Sequence, residues 1–555
     1  MSPEKYTPVH RLRVVTAASL FDGHDAAINV MRRLIQAHGC EVIHLGHNRS
    51  VAQVVEAAVE EDAHAIALSS YQGGHIEYFK YVRDLLAERG ASHIRVFGGG
   101  GGVIVSREIR ELHEYGVTRI YSPEDGRRMG LVGMISDLVR QSDYDVVTEG
   151  PQQDLVERAR AGDVMAVARL ITLAERAVEG EGEAIDLPAA DKPCPVIGIT
   201  GTGGAGKSSL TDELVRRYLV DFPERRIAVL SVDPTRRKTG GALLGDRIRM
   251  NAIHGERCYM RSLATRSSGG ELSRAIRPAI AACRAAGFDV IVVETSGIGQ
   301  GDSRVMDIAD IGLYVMTPEY GAASQLEKID MLDFADMVVL NKFERRGAED
   351  ALRDVRKQVR RNRELFEAED HSLPVFGTIA AQFNDPGVNG AYRHLLALLE
   401  ARSGQPHPTT VPDPGTKASP PRLRLIPPDR AAYLGDIART LRGYHAWSRN
   451  QCDLARDKAQ LQGAASLVPE AASLLSSRAE GILLDPRCQA ILDGWEGQKT
   501  RFAQDEYVYT VRGKELRQPL FHESLSRQRI SRVAFPPFTE AAERLRWALK
   551  ENLPG

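Results

Sequence analysis

An excess of charge of either sign is what this chain most clearly lacks: 72 lysines and arginines stand against 74 aspartates and glutamates, a formal net charge of −2 over 555 residues. That balance gives no global attraction for a polyanion, so composition lends no support to nucleic-acid binding. Cysteine is scarce as well. The six cysteines, Cys40, Cys194, Cys258, Cys283, Cys452 and Cys488, are scattered without a C-x-x-C pair, which argues against a disulfide framework or a zinc site and suits a reducing compartment. No apolar run reaches the ~18 residues of a membrane helix, and the start, Met1-Ser-Pro-Glu-Lys5, has no apolar signal core. The expectation is a soluble, cytoplasmic protein that partners neither a membrane nor nucleic acid.

What is present is enough apolar residue, 43% of the chain, to build several cores; at roughly 150 residues per domain the length suggests about three or four domains. Residues 1–147 alternate short β-branched runs (Leu12–Thr16, Glu41–Leu45, Ala65–Ser69, Ile94–Phe97) with helix-period segments (Ala26–His38, Val51–Asp62, Glu77–Arg89). That rhythm predicts a flavodoxin-like, Rossmann-type parallel sheet. Residues 148–192 read as a helical arm, Asp154–Ala177, followed by a Gly/Glu- and Pro-broken hinge. A second βα alternation fills 193–402, a Pro/Gly-rich linker 403–428, and a mostly helical segment 429–555 ends in candidate strands Glu506–Val511 and Ile530–Phe535, a short α+β tail.

The second α/β region carries the most specific pattern. Gly201-Thr-Gly-Gly-Ala-Gly-Lys207-Ser208 follows the apolar run Pro195–Thr200 and opens a helix-like stretch from Ser209. Strand, glycine loop and helix in that order form a phosphate cradle: backbone N–H groups at a helix N-terminus face phosphate, a lysine reaches it, and a hydroxyl holds Mg²⁺. The nucleotide set is therefore Gly201, Gly203, Gly204, Ala205, Gly206, Lys207, Ser208 and Ser209. Downstream, Phe288–Gly297 is a buried strand ending in Glu294 and a glycine suited to sense the γ-phosphate. Val338-Val-Leu-Asn341-Lys342-Phe-Glu344 has the Asn-Lys-x-acid pattern that reads guanine, with Glu344 in place of the usual Asp, which leaves guanine selectivity open. Gly377–Ala380 supplies a backbone contact to the base. Between these motifs, Asp233 and Asp246 are candidate Mg²⁺-side acids.

A different chemistry is visible near the N-terminus. Phe21-Asp22-Gly-His24-Asp-Ala-Ala27 sits in the loop after the first strand, where such sheets bind ligands. His24 can ligate a metal through one ring nitrogen while Asp22 accepts the N–H of the other. Ser69 ends a later strand, and Gly98–Gly102 leaves a side-chain-free slot for a flat ligand tail.

The runs Asp233–Lys238, Leu244–Met250, Glu294–Gln300 and Asn341-Lys342 resemble the metallochaperone branch of P-loop GTPases that guards cobalamin-dependent acyl-CoA mutases. The resemblance implies Mg²⁺ on Ser208, Asp233, Asp246 and Glu294, phosphate contact from Lys207 and Arg249, catalysis by Lys207, Glu294 and Arg249, and a switch segment Gln325–Asp333 facing a client. It also implies a homodimer through the 154–177 arm. The N-terminal constellation resembles a cobalamin-binding domain with a D-x-H-x-x-G histidine. By that likeness His24 is the lower ligand of cobalt, Asp22 supports it, and Ser69, Gly101 and Gly102 bury the cofactor tail; Ala27 and Tyr71 depart from the motif's Gly and Leu. Both resemblances meet in the N-terminal half of the fused isobutyryl-CoA mutases, through runs such as Ala17–Asp25, His44–Ser50, Ser69–His75, Tyr121–Asp125 and Ser324–Leu332. What it implies is a GTPase chaperone joined to the adenosylcobalamin-binding part of a mutase, using GTP/GDP and Mg²⁺, with cobalt–carbon homolysis and a 1,2-rearrangement of a branched acyl-CoA. The (β/α)₈ substrate barrel is expected on a separate large subunit, and a cob(I)alamin adenosyltransferase as a further partner. The rival readings are a cobalamin-responsive GTPase regulator, disfavoured by the mutase-like 507–555 segment, and a methyl-transfer corrinoid protein, disfavoured because the first strand begins at about residue 12 with no helical cap before it. Which acyl-CoA is rearranged stays open.

Overall fold

The computed structural model describes residues 5–149, 154–183, 185–236, 238–266, 272–295, 304–320, 326–327, 329–420, 433–511 and 513–550. They divide into two compact units, 1–422 and 423–555. No helix among them is long and apolar enough to cross a membrane.

The first unit begins with β1 (Arg13–Ser19), α1 (Asp25–Ala37), β2 (Glu41–Arg49), α2 (Val51–Glu60), β3 (Ala65–Ser69), α3 (His75–Glu88), β4 (Arg95–Gly99), α4 (Ser106–Glu114), β5 (Arg119–Tyr121) and α5 (Pro123–Gln141). β1 and β3 are buried along their whole length, as parallel strands covered by helices on both faces must be. The helices start where the sequence offers caps. Ser50 and Gln53 form a reciprocal capping box at α2, with Gln53 N–H donating to Ser50 Oγ at 3.3 Å and Ser50 N–H to Gln53 Oε1 at 3.1 Å.

After α6 (Val146–Glu149) the arm is not one helix. It breaks into α7 (Leu155–Arg160) and α8 (Val164–Glu179). Gly162 takes φ +96° at the break, and the Asp163 carboxylate accepts the N–H groups of Met165 and Ala166 to start α8. The arm expected over 154–177 is helical in two pieces, because a left-handed glycine followed by a strong N-cap residue outweighs the continuous apolar period.

The nucleotide-motif region holds β6 (Val196–Gly201), α9 (Lys207–Asp221), β7 (Ile227–Asp233), β8 (Ala242–Leu244), β9 (Cys258–Ala264), α10 (Ile276–Ala285), β10 (Val290–Thr295), β11 (Ile311–Met316), β12 (Met337–Asn341) and β13 (Val375–Thr378). Its sheet runs β13-β12-β11-β6-β10-β7-β9, and the first sheet runs β5-β4-β3-β1-β2-β8. So β8 leaves its own region and pairs in parallel with β2, Glu41 to Ala242 through Ile43 to Leu244. No pattern in residues 242–244 announces this pairing. Without β8 the first sheet has the flavodoxin order, whose switch point lies between β1 and β3.

Buried ion pairs join the first sheet, the arm and the nucleotide region. Arg169 of α8 grips Asp62 through two bonds of 3.0 Å, Arg261 of β9 holds Glu175 at 2.8 Å, and Arg266 reaches Glu41 at 2.7 Å. Glu175 is shared with Arg266 at 3.0 Å and Glu41 with Arg13 at 3.7 Å, so those charges form a network, whereas removing one partner of a discrete buried pair such as Arg169–Asp62 costs about 3–5 kcal/mol.

The second unit has a long helix, Tyr433–Leu467, three shorter helices over 472–502, and an antiparallel hairpin of Glu506–Val511 with Lys514–Pro519. The strand expected over Ile530–Phe535 is shorter and earlier, Arg529–Ser531, pairing with Phe521–Glu523. Its core is small: Cys452, Ala455, Cys488, Leu545 and Leu549, beside a cluster of Trp495, Phe535 and Trp547 with ring centroids 5.1–5.5 Å apart.

Candidate functional site

The loop between β1 and α1 stands at the switch point of the first sheet. Asp22 is buried, and its Oδ1 accepts the His24 N–H at 2.9 Å and lies 2.8 Å from His24 Nδ1, while Oδ2 accepts the Tyr71 N–H at 2.7 Å. Burial alone would raise the Asp22 carboxyl; the N–H groups of His24 and Tyr71 and the His24 ring outweigh it and hold it below the usual range. The imidazole is thereby oriented through Nδ1. Its side chain is 71% exposed, leaving Nε2 for a ligand. Tyr71, where the motif has Leu, sets its ring 5.4 Å from that of His24.

Beside this loop lies a cavity of about 280 Å³ lined by Ala27, Ile28, Ser69, Tyr71, Gly98–Gly101, Pro123, Leu131 and Met134 among others. Ser69 Oγ is buried there without a hydrogen-bond partner, an arrangement that costs about 1–3 kcal/mol until a ligand satisfies it. The glycine run divides in two. A Cβ on Gly98 would come within 2.3 Å of Phe79 Cζ, and one on Gly100 within 1.9 Å of the Ser70 carbonyl oxygen, so these two are required by the protein's own packing. Gly101, at φ +57°, lines the cavity; Gly102 is exposed, off its wall. An apolar slot, one orphaned hydroxyl and an oriented imidazole at its mouth fit a corrinoid whose tail is buried and whose metal is met by His24.

The second centre is the loop from β6 to α9. Gly201, Gly204 and Gly206 all have positive φ, and a Cβ on Gly201 would meet the Val315 carbonyl oxygen at 1.8 Å. Gly203 and Gly204 form the exposed apex, Ala205 is buried, and Ser209 sits half-buried in the first turn of α9. Lys207 Nζ folds over the loop, 3.2 Å from the Gly201 oxygen. Ser208 Oγ donates to Glu294 Oε1 at 2.7 Å and lies 3.3 Å from Asp246 Oδ1. Asp246 also accepts from Ser231 Oγ and from Arg249, whose Nη2 is 3.4 Å from Ser208 Oγ. Asp233 accepts the Gly245 N–H at 3.1 Å. Burial and the neighbouring Asp246 charge push the carboxyls of Asp233 and Glu294 up; a cation among them would relieve that repulsion.

No three acidic, imidazole or thiol groups among the described residues are spaced as a self-sufficient metal cage. Mg²⁺ sites in general need no such cage, being built from one or two carboxylates with a hydroxyl, phosphate oxygens and waters. On the base side, Asn341 Nδ2 donates to the Ala205 oxygen at 2.8 Å and Oδ1 accepts the Ala380 N–H at 3.0 Å. Lys342 Nζ reaches the Gly204 oxygen at 2.7 Å. Glu344 is exposed beyond them. Gly297 lies outside the described residues, as do Gln325 and Lys328 of the expected switch segment.

Sequence reasoning named Asp246 and Arg249 but missed the two residues between them. Arg247 donates to Glu60 Oε2 at 2.5 Å, Glu61 Oε1 at 3.2 Å and the Met260 oxygen at 2.6 Å, and Ile248 packs on Gly46. A charged residue next to an apolar one in a loop carries no sequence signal for such distant partners.

Comparison with known proteins agrees with both centres. The B12 binding domain family matches residues 12–126, and the methylmalonyl-CoA mutase-associated GTPase MeaB family matches 167–389. The chain is 52% identical over 99% of its length to a fused isobutyryl-CoA mutase of Geobacillus kaustophilus, covering 52% of that protein. It is equally similar to proteins of that description from Cupriavidus metallidurans and Nocardia farcinica, covering 51% of each. The chain therefore spans about half the length of the curated relatives it matches. Over nearly its whole length the chain is thus similar to fused isobutyryl-CoA mutases, with a match to the B12 binding domain followed by a match to the MeaB GTPase family.

Proposed function

We propose that this chain loads and guards adenosylcobalamin for an acyl-CoA mutase, using GTP hydrolysis to bias the arrangement of its domains. The observation that carries the reading is the packing of an oriented, ligand-ready His24 and a phosphate-cradling loop into one unit. Bound cobalamin would supply the homolytic chemistry; the chain's own part is to orient His24 through Asp22 and to bury the cofactor tail against Ser69 and Gly101. At the second site Ser208, Asp246 and Glu294, with Asp233 behind them, would hold Mg²⁺, and Lys207 and Arg249 would neutralise phosphate charge during hydrolysis. Asn341, Lys342 and Glu344 would face the guanine. Domain bias through γ-phosphate contacts follows the general behaviour of switch segments.

The substrate barrel, as the relatives' names suggest for a branched acyl-CoA, would complete the radical rearrangement, and an adenosyltransferase would supply the cofactor. A homodimer is part of the same reading. The test uses the purified chain with Mg²⁺·GTP and with adenosylcobalamin. Phosphate release abolished by Lys207→Ala, together with a nitrogen-ligated cobalamin spectrum that turns base-off in His24→Ala, is the expected pair of results. No phosphate release, or a spectrum indifferent to His24→Ala, refutes the corresponding half.

A further inference from the structure

The turn Asp246–Arg249 directly follows β8, the strand that joins the first sheet. Its four side chains divide between two domains. Asp246 and Arg249 face the Ser208 hydroxyl of the nucleotide loop. Arg247 is buried against Glu60 and Glu61 at the end of α2, and Ile248 lies so close to Gly46 of β2 that a Cβ there would stand 2.7 Å from Ile248 Cδ1. Gly46 has φ +84°, and the register of β2 against β1 shifts at this point.

The contacts continue beyond Gly46. Two residues on, Asn48 takes φ +57° and its Oδ1 accepts the Phe21 N–H at 2.8 Å. Phe21, itself at φ +62° and 81% exposed, adjoins the Asp22 that orients His24. A bulky residue held in the left-handed region is strained and stays there only when its surroundings over-determine it. Here the Asn48 acceptor is one such constraint.

We propose that Arg247 and Ile248 are positioning residues for Asp246, seated in the B12-binding domain, and that the turn couples the two sites: Mg²⁺·nucleotide held at Asp246 shifts the end of β2 and, through Asn48 and Phe21, the His24 loop. The inference rests on the proposed roles of Asp246 and His24. Coupling of this kind is a reciprocal ratio of affinities, commonly about 5–150-fold. The affinity of the intact chain for adenosylcobalamin is measured by absorbance titration with and without Mg²⁺·GMPPNP. Wild type should show a ratio of at least about fivefold. Ile248→Ala, at a half-exposed position outside either site, should bring the ratio to within about twofold of one, with nucleotide still bound. Asn48→Gly, which keeps the left-handed backbone and deletes the acceptor, should do the same without touching the nucleotide site. A merely structural role would shift melting temperature and both affinities together but leave the ratio intact. Wild type binding both ligands with a ratio near one, or variants retaining the wild-type ratio, overturns the coupling alone; failure of wild type to bind either ligand overturns the functional reading as well.

Discussion

Replacing Arg169 by Met should loosen the arm helix far more than its position away from both sites suggests. The guanidinium is 1% exposed, its Nε and Nη2 each lie 3.0 Å from an Asp62 oxygen, and Nη1 reaches the Val147 oxygen at 3.3 Å. Burial alone would raise the Asp62 carboxyl, but Arg169 overrides it and holds it ionised. Without Arg169 the buried carboxylate keeps only the Thr172 hydroxyl and the Arg261 charge, a loss of about 3–5 kcal/mol. At about 1.36 kcal/mol per tenfold, that corresponds to roughly 10²–10⁴ in an opening equilibrium. Hydrogen exchange read by mass spectrometry on residues 164–179 reports such local opening without requiring two-state unfolding of a unit this large. The penalty should shrink as pH falls toward the usual carboxylate range, where Asp62 can take a proton. Asp62→Asn with Arg169→Met should recover most of the protection, because Asn tolerates the φ of +46° at this site. A single variant exchanging within tenfold of wild type, or a double variant no better than the single, would refute the reasoning.

Ser69→Ala removes a buried hydroxyl that has no partner, so the cofactor-free protein should melt no lower than wild type while adenosylcobalamin affinity, measured by titration, falls about tenfold. Gly100→Ala forces a Cβ to within 1.9 Å of the Ser70 oxygen; β3 and β4 must separate, and the melting temperature should fall by several degrees even without ligand. His64 is fully buried, accepts the Arg13 N–H on Nδ1 at 3.2 Å, and burial lowers it to about 4. Its folded value lies below the ordinary one, so the unfolded chain takes up the proton first as pH drops. Stability should therefore decline from about pH 6.5 toward 4, and His64→Gln should flatten that part of a thermal-shift profile.

Contiguous motifs were what the sequence made legible. The β6–α9 loop, the strand ending at Glu294 and Asn341-Lys342 each place their functional groups within a few residues, so their spacing alone implies the geometry. Asp22 and His24 were readable for the same reason. The alternating order of both sheets followed from β-branched runs separated by helical periods. Illegible were features whose partners lie far off in sequence: β8, three residues long and without an alternating pattern; Arg247 with Glu60; Arg169 with Asp62. The split roles of Gly98–Gly102 could not be read either, because whether a glycine admits a ligand or a neighbouring carbonyl depends on what packs against it. In the arm, Gly162-Asp163 marks a stop and a restart, a left-handed glycine followed by a capping carboxylate, inside an apolar period that runs across both helices.

The strand exchange has a consequence for how the protein is made. During synthesis, residues 13–141 can form every strand of the first sheet except β8, which arrives only with residues 242–244. Until then β2 presents a bare row of peptide N–H and C=O groups, an invitation to pair with another nascent chain. A fragment cut after the arm would keep that liability permanently. The nucleotide region thus acts as an intramolecular shield for its neighbour's edge, and the boundary between the two domains is better drawn through their shared sheet than at any one peptide bond.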